Sequence, residues 1–439
     1  MHRKINNKEV HTMKMIGKNM GFLIVLMSLF CGCEVLDQSE NKETMQSDYF
    51  SEEISVKRPM ASKEINAIPL SQNQKSLAKG YNEFAMDLLD SFYVSEDKNS
   101  SFVISPLSIY MDLTMAANGT SGKAREEILK AFKLDEEISQ LNTFCRTVIE
   151  GLPAVDLSST VRMANALIVD SYYPVKKSFQ KEMEDVFYGV AESLPFKEWD
   201  LVTSRINNWV NDCTEGLIPT ILDRYEEAPF AYLLNATYFK ADMVYPFDPE
   251  LTADRDFHSP EGDISIPFMA GDFEIRYESN EVYSAISLPL GNSKFCLSVY
   301  LPQAERDIAE VITRMKESSG FSSETKDVVV VMPKFETRSS LEALPVLKKM
   351  GISYIFDPCD FQNMLEYSLP LMIGSVQHKA SICVNEKGVV AAAVTSSGIW
   401  GSSTLDRPTY YFTADHPFVY LIQERSSDVV LFSGVFTGK

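Results

Sequence analysis

The stretch NEKGVVAAAVTSSGIWGSS runs from Asn385 to Ser403. It opens on charge, passes a single glycine at Gly388, and continues Val-Val-Ala-Ala-Ala-Val-Thr before Ser, Gly and a lone Trp400. Its side chains are too small to fill much of a core and too apolar for an ordinary exposed loop. Successive side chains of a strand point to opposite faces. In a sheet, Val389, Ala391, Ala393 and Thr395 would share one face, and Val390, Ala392, Val394 and Ser396 the other. Packed interiors accept little added volume. Ala391 and Ala393 meet that limit, and Thr395 nearly does. Neither proline nor a charge occurs from Val389 to Thr404, so every backbone N–H there is available to a ladder. Gly388 gives the backbone freedom to pivot ahead of the segment.

The whole chain has 439 residues, 45% hydrophobic and 23% charged. This is ordinary globular composition, and a chain of this length buries a large core without staples. Forty-one basic residues against 61 acidic ones leave a net charge of -20. Nucleic acid is therefore not an expected partner, because its recognition needs basic patches. No composition break divides residues 76–437, so a single domain is expected there.

The N-terminus reads as a targeting segment. Lys14 and Lys18 precede an apolar run, Phe22 to Phe30, interrupted only by Ser28. That run is too short to span a bilayer and suits a signal sequence. It ends Leu29-Phe30-Cys31-Gly32-Cys33, which resembles a bacterial lipobox with small Gly32 before an acceptor Cys33. The alternative is a plain secretory signal. Residues 1–33 are thus expected to be a lipoprotein signal, with lipid on Cys33 as the only membrane attachment. Residues 34–75 are acidic and poor in aromatics and read as a flexible tether. The folded domain is expected over 76–439.

Along that domain, Leu77, Tyr81, Phe84, Leu88 and Phe92 space out a helix with one apolar face. SPLSIYMDLTMAANG places Ser105 as N-cap, Pro106 at the first helical position and Gly119 at the end. Ile206, Trp209, Val210 and Cys213 share one helical stripe. Ser339 and Glu342 read as a capping box for a helix closed by Gly351. FAYLLNATYF, VYSAISLPL, SKFCLSVYLP and DVVVVMPKF are β-branched or aromatic runs bounded by turn residues. Helices concentrate early and strands late, with no βαβ rhythm, which is an α+β pattern.

Nothing in the chain marks an enzyme. There is no GxSxG, HExxH, GxxxxGK[ST] or GxGxxG. Beyond the leader only His258, His378 and His416 remain, far apart and expected in structural hydrogen bonds. Of seven cysteines, Cys31 and Cys33 sit in the leader, and the rest lack any CxxC spacing. They are expected to be buried free thiols. No metal or cofactor is expected.

The last third of the chain closely resembles the serpin family. FTADHPFVYLI (Phe412–Ile422) resembles the family signature that follows the reactive loop, and VNEKGVVAAAVT (Val384–Thr395) resembles its hinge. SFVISPLSI, MANAL, INNWVNDCTEGLI, LLNATYFK, YPFDP and MPKF fall in the family's order across residues 76–437. Each is weak alone, and together they are specific. The resemblance implies an α+β fold of three β-sheets and eight to nine helices with an exposed reactive-centre loop. It implies inhibition in which a target protease cleaves the loop, forms an acyl-enzyme, and is carried off as the loop inserts into a sheet as a strand. The hinge positions are Glu386, Lys387, Gly388, Val389, Val390, Ala391, Ala392, Ala393, Val394 and Thr395. A polar "shutter" under the main sheet is implied at Ser105, Ser108, Asn235 and His378. One departure stands out: the family usually has tryptophan where this chain has Met243, at the top of that sheet.

Family spacing from Glu386 places the scissile bond between Ser402 and Ser403, with Trp400 and Leu405 as alternatives. No Arg or Lys lies from Ile399 to Leu405, which disfavours trypsin-like targets. Elastase-like serine proteases suit small residues, chymotrypsin-like ones would use Trp400 or Leu405, and papain-like cysteine proteases are a further class. The expectation is a monomeric, non-enzymatic inhibitor, covalently joined to its target protease and lipid-anchored in an envelope, at the outer membrane and cell surface. The competing expectation is a serpin-fold binding protein or chaperone that does not inhibit.

Overall fold

Most helices lie in the first half of the chain and most strands in the second in the structure, a computed structural model. It describes residues 54, 59, 61–134, 137–216, 218–222, 231–318, 320–389 and 409–439. The signal segment with Cys33 and the loop residues Val390 to Thr395, Trp400, Ser402, Ser403 and Leu405 lie outside the described residues. Among the described residues there are eight α-helices. They are α1 (Gln72–Ser95), α2 (Pro106–Gly119), α3 (Gly122–Ala131), α4 (Ile138–Gly151), α5 (Lys177–Phe187), α6 (Trp199–Cys213), α7 (Ile308–Glu317) and α8 (Leu344–Lys349). The strands are β1 (Phe102–Ile104), β2 (Thr160–Asp170), β3 (Val190–Leu194), β4 (Ala231–Asp242), β5 (Ala253–Ser259), β6 (Gly262–Ser279), β7 (Tyr283–Leu290), β8 (Phe295–Pro302), β9 (Lys326–Pro333), β10 (Phe335–Glu342), β11 (Cys359–Asp360), β12 (Pro370–Leu371), β13 (Ser375–Asn385), β14 (Gly388–Val389), β15 (Tyr410–Thr413), β16 (Phe418–Glu424) and β17 (Val430–Phe436).

They form three sheets. One has six strands in the order β10-β13-β14-β4-β2-β3. The second has nine, with β1-β17-β16-β8-β7-β6-β9-β15 along its path and β5 paired to β6. The third is the small pair β11–β12. In the six-stranded sheet, β4 is buried on both faces, which explains its nearly unbroken apolar sequence. Ala164, Ala166 and Ile168 of β2 and Tyr232, Leu234 and Ala236 of β4 pack with Ile206, Trp209, Val210 and Cys213 of α6. The opposite faces join the main core, which includes Leu233, Phe239 and Ala241.

Helix α1 starts where the chain can cap it: the Ser71 hydroxyl accepts from Gln74 N, and the Gln74 side chain accepts from Ser71 N. Helix α2 differs from the others because all fourteen of its residues are buried. It runs through the core, so no side of it faces solvent.

Two boundaries differ from the sequence reading. Packing on the body begins before residue 76, since Ile54 and Ile68 are buried and the Ile65 N–H donates to the Ala154 carbonyl at 2.9 Å. Residues 61–75 therefore belong with the folded body. Ser339 and Glu342 do not form a capping box. They lie in β10, whose ladder with β13 runs to Glu342. The Glu342 carboxylate instead accepts from Leu344 N at 3.0 Å and Val376 N at 2.8 Å. The cross-strand ladder outweighs the local cap there, and α8 starts after Ala343.

Candidate functional site

The centre of the six-stranded sheet is a seam. Strands β4 and β13 run parallel and pair directly from Ser375↔Tyr232 to Ala380↔Thr237. Beyond that point their direct ladder ends. The two-residue strand β14 is wedged between them higher up, with Val389 opposite Val384 on one side and Ala241 on the other. Val389 is completely buried. The face assigned from alternation is thus the core face at its first residue. Gly388 sits opposite Asp242 with φ at +154°, and a Cβ there would come within 2.3 Å of the Ala241 carbonyl oxygen. Only glycine fits so close to β4.

The chain leading into this wedge is clasped from outside. Met243 N donates to the Lys387 carbonyl at 2.6 Å, and Phe247 N to the Glu386 carbonyl at 2.8 Å. Lys334 Nζ lies 3.1 Å from Glu386, and the Thr252 hydroxyl donates to the same carboxylate at 3.1 Å. Partial burial works to raise the Glu386 pKa, but hydrogen bonds from its own backbone, Lys334 and Thr252, with the charge of Lys334, hold it below the usual value.

Beneath the seam lie the polar residues implied by the resemblance. Ser105, Ser108, Asn235 and His378 are all buried. The Ser105 N–H donates to His378 Nε2 at 3.0 Å, so that nitrogen is an unprotonated acceptor. The Ser105 hydroxyl donates to Ser108 at 3.1 Å rather than capping α2. Ser108 shares a hydrogen bond with Thr237. Asn235 Nδ2 donates to Asn165 Oδ1 at 2.6 Å. Asn165 and Thr237 were not picked out from sequence. The available signal was a polar residue inside the apolar runs MANAL and LLNATYF, with Asn235 and Thr237 two apart and so on one face. Burial pushes the His378 pKa down to about 3.

The other residues singled out fall apart from this cluster. His258 bonds Asp263 at 2.8 Å, and His416 lies 2.7 Å from Asp415 and 3.0 Å from the Pro302 carbonyl. Cys145, Cys296 and Cys359 are buried free thiols, Cys213 is buried, and Cys383 is a half-buried free thiol. Among the described residues, no three His, Cys, Asp or Glu side chains gather as metal ligands.

The family model for "Serpin (serine protease inhibitor)" matches residues 79–438. Serpin-Z2A of Triticum aestivum is 31% identical over 360 residues, covering 77% of this chain and 90% of that protein. Antichymotrypsin-2 of Bombyx mori is 28% identical over 355 residues, covering 78% and 93%. Among solved structures, an Arabidopsis serpin in its "native stressed conformation" superposes with a TM-score of 0.75 at 25% identity, covering 83% of this chain and 98% of that one. Serpin48 of Tenebrio molitor superposes with a TM-score of 0.76 at 24% identity, covering 84% and 100%.

Two predictions follow from the geometry. Gly388→Val should unseat Val389 from the seam, because its side chain has no room beside Ala241. Hydrogen exchange at Ala241 should accelerate, and unchanged protection would refute the steric argument. For His378 the folded pKa is depressed, so between about 3 and 6.5 the unfolded chain binds a proton that the folded chain refuses. Stability is therefore intact above pH 6.5 and lost as pH falls, by about 2 kcal/mol at pH 5. Urea midpoints of wild type and His378→Asn across pH 5–8 should show a shallower slope for the variant.

Proposed function

The chain belongs to the serpin family, and from that premise we propose that it is a suicide inhibitor whose reactive loop inserts along the seam between β4 and β13. The observation that carries the reading is Val389, already paired on both sides and fully buried. Continuing the alternation from Val389 puts Ala391, Ala393 and Thr395 toward the core and Val390, Ala392 and Val394 outward, on the side that α6 covers. The strand that follows is small enough to extend the wedge downward as the direct β4–β13 pairing gives way. Each new ladder bond contributes only about 1 kcal/mol net, but many form together with burial of the alanines and valines.

In chemical terms, the nucleophile of the protease attacks the carbonyl carbon of Ser402. The amide nitrogen of Ser403 leaves as a free amine, and an acyl ester remains on the protease. Insertion of the segment ahead of Ser402 then drags the attached protease along before water can hydrolyse the ester. The small residues around Ser402 favour an elastase-like target. A chymotrypsin-like protease would cut after Trp400 or Leu405, and a papain-like cysteine protease would form a thioester at the same carbonyl. Lipid on Cys33 would hold the inhibitor, as a monomer, on the outer surface of a bacterial envelope.

Mixing the chain with an elastase should give a one-to-one complex that survives boiling in SDS. Mass spectrometry of the released C-terminal peptide should place the cut at Ser402–Ser403, Trp400–Gly401 or Leu405–Asp406. Cleavage that leaves no complex and no gain in thermal stability would instead identify a non-inhibitory serpin-fold binding protein.

A further inference from the structure

Helix α2 carries one residue that the seam chemistry has not used. Asp112 is completely buried, and neither of its carboxyl oxygens has a hydrogen-bond partner among the described residues. Native structures rarely leave a buried polar group unpaired without a reason. Thirteen other buried positions surround it on the same helix, so an apolar residue would suit this environment. Burial pushes its carboxyl well above the usual carboxylate pKa.

Its position in the helix supplies the reason. At 3.6 residues per turn, Asp112 lies about 20° around the helix from Ser105 and about 40° from Ser108. It therefore shares the face whose two serines reach the seam strands. Ser108 and Asp112 are four apart, the spacing at which helical side chains become neighbours. In the closed sheet Ser108 accepts from Ser105 and pairs with Thr237 of β4. Were the seam to open by a shift of β4 against α2, Thr237 would move with it, and the Ser108 hydroxyl would lose that partner and be free to donate to the Asp112 carboxyl.

We propose that Asp112 is a positioning residue for loop insertion, left unpaired while the seam is closed and satisfied by the Ser108 hydroxyl once β4 has shifted. It raises the free energy of the uncleaved chain and not that of the inserted one, which widens the difference that drives insertion. The inference rests on the inhibitory reading above.

The test compares the full chain before and after its loop is nicked by elastase, for wild type, Asp112→Leu, Asp112→Ala and Asp112→Asn. Asp112→Leu should raise the urea midpoint of the uncut chain by roughly 0.5 M while leaving the nicked form at or below wild type. It should also let a larger share of cleavage events end in free protease rather than complex. Asp112→Ala removes the same oxygens without added bulk and should show the same narrowing if the leucine variant does not fold. Asp112→Asn, still a hydrogen-bond acceptor, should keep the wild-type gap. Equal shifts in both forms, or a less stable uncut chain in both apolar variants, would overturn the proposal, as would an asparagine variant that behaves like leucine. A wild-type chain that gains no stability on nicking overturns the inhibitory reading itself, and this inference with it.

Discussion

The short ladder between β4 and β13 is the constraint on which the rest of the architecture depends. Six residue pairs hold two parallel strands together at the middle of the sheet, and one of the two, β4, is buried on both faces. Above those pairs the strands accept a third between them, and β14 already occupies the top. A sheet centre is ordinarily the most settled part of a fold. Here it is held by few bonds and flanked by a segment with the composition to replace them. β14 therefore completes the top of a seam whose lower part the direct β4–β13 ladder completes.

Helix α2 couples the two strands of the seam. Its first turn bonds both sides of the seam: Ser105 to His378 on β13, and Ser108 to Thr237 on β4. The strands cannot part without straining one of these bonds, so separation and helix contact change together. Polar groups suit this role better than apolar ones, because a hydroxyl released by one partner can turn to another, whereas a methyl group leaves a void. Low local dielectric strengthens each bond and makes each unpaired group costly. A helix buried on every side would otherwise be expected to be wholly apolar.

Much of this was legible in the sequence, and the illegible parts share a cause. The apolar runs of β4, β7, β8 and β9 and the stripe of α6 were readable because local periodicity and burial agree there. The core-facing side of Val389 was readable from alternation, while the hinge from Val390 onward lies outside the described residues. Ser339 and Glu342 misread as a helix cap because the competing ladder with β13 involves residues some forty positions away, which no local pattern records. Asn165 and Thr237 escaped for the same reason. Their value lies in facing Asn235 and Ser108 across separate strands and a helix, not in their own neighbourhood. Asp112 sat in plain view inside a helical pattern and carried no local signal beyond being charged.

The absence of tryptophan at Met243 can be weighed in the same terms. An indole there would fill space at the head of the seam, and Met243 fills it differently: it is buried, and an unbranched thioether adapts to irregular gaps. The link between this position and the hinge does not run through the side chain. It is the Met243 N–H that bonds the Lys387 carbonyl, and next to it the Phe247 N–H that bonds Glu386. Backbone groups make these contacts whatever side chain the position carries. Lys334 and Thr252 hold the Glu386 carboxylate in addition to these backbone bonds. What the position changes is the side-chain packing around the wedge, not the backbone bonds that clasp it. An unbranched thioether thus packs the head of the seam, while the polar bonds of α2 tie β4 and β13 together below it.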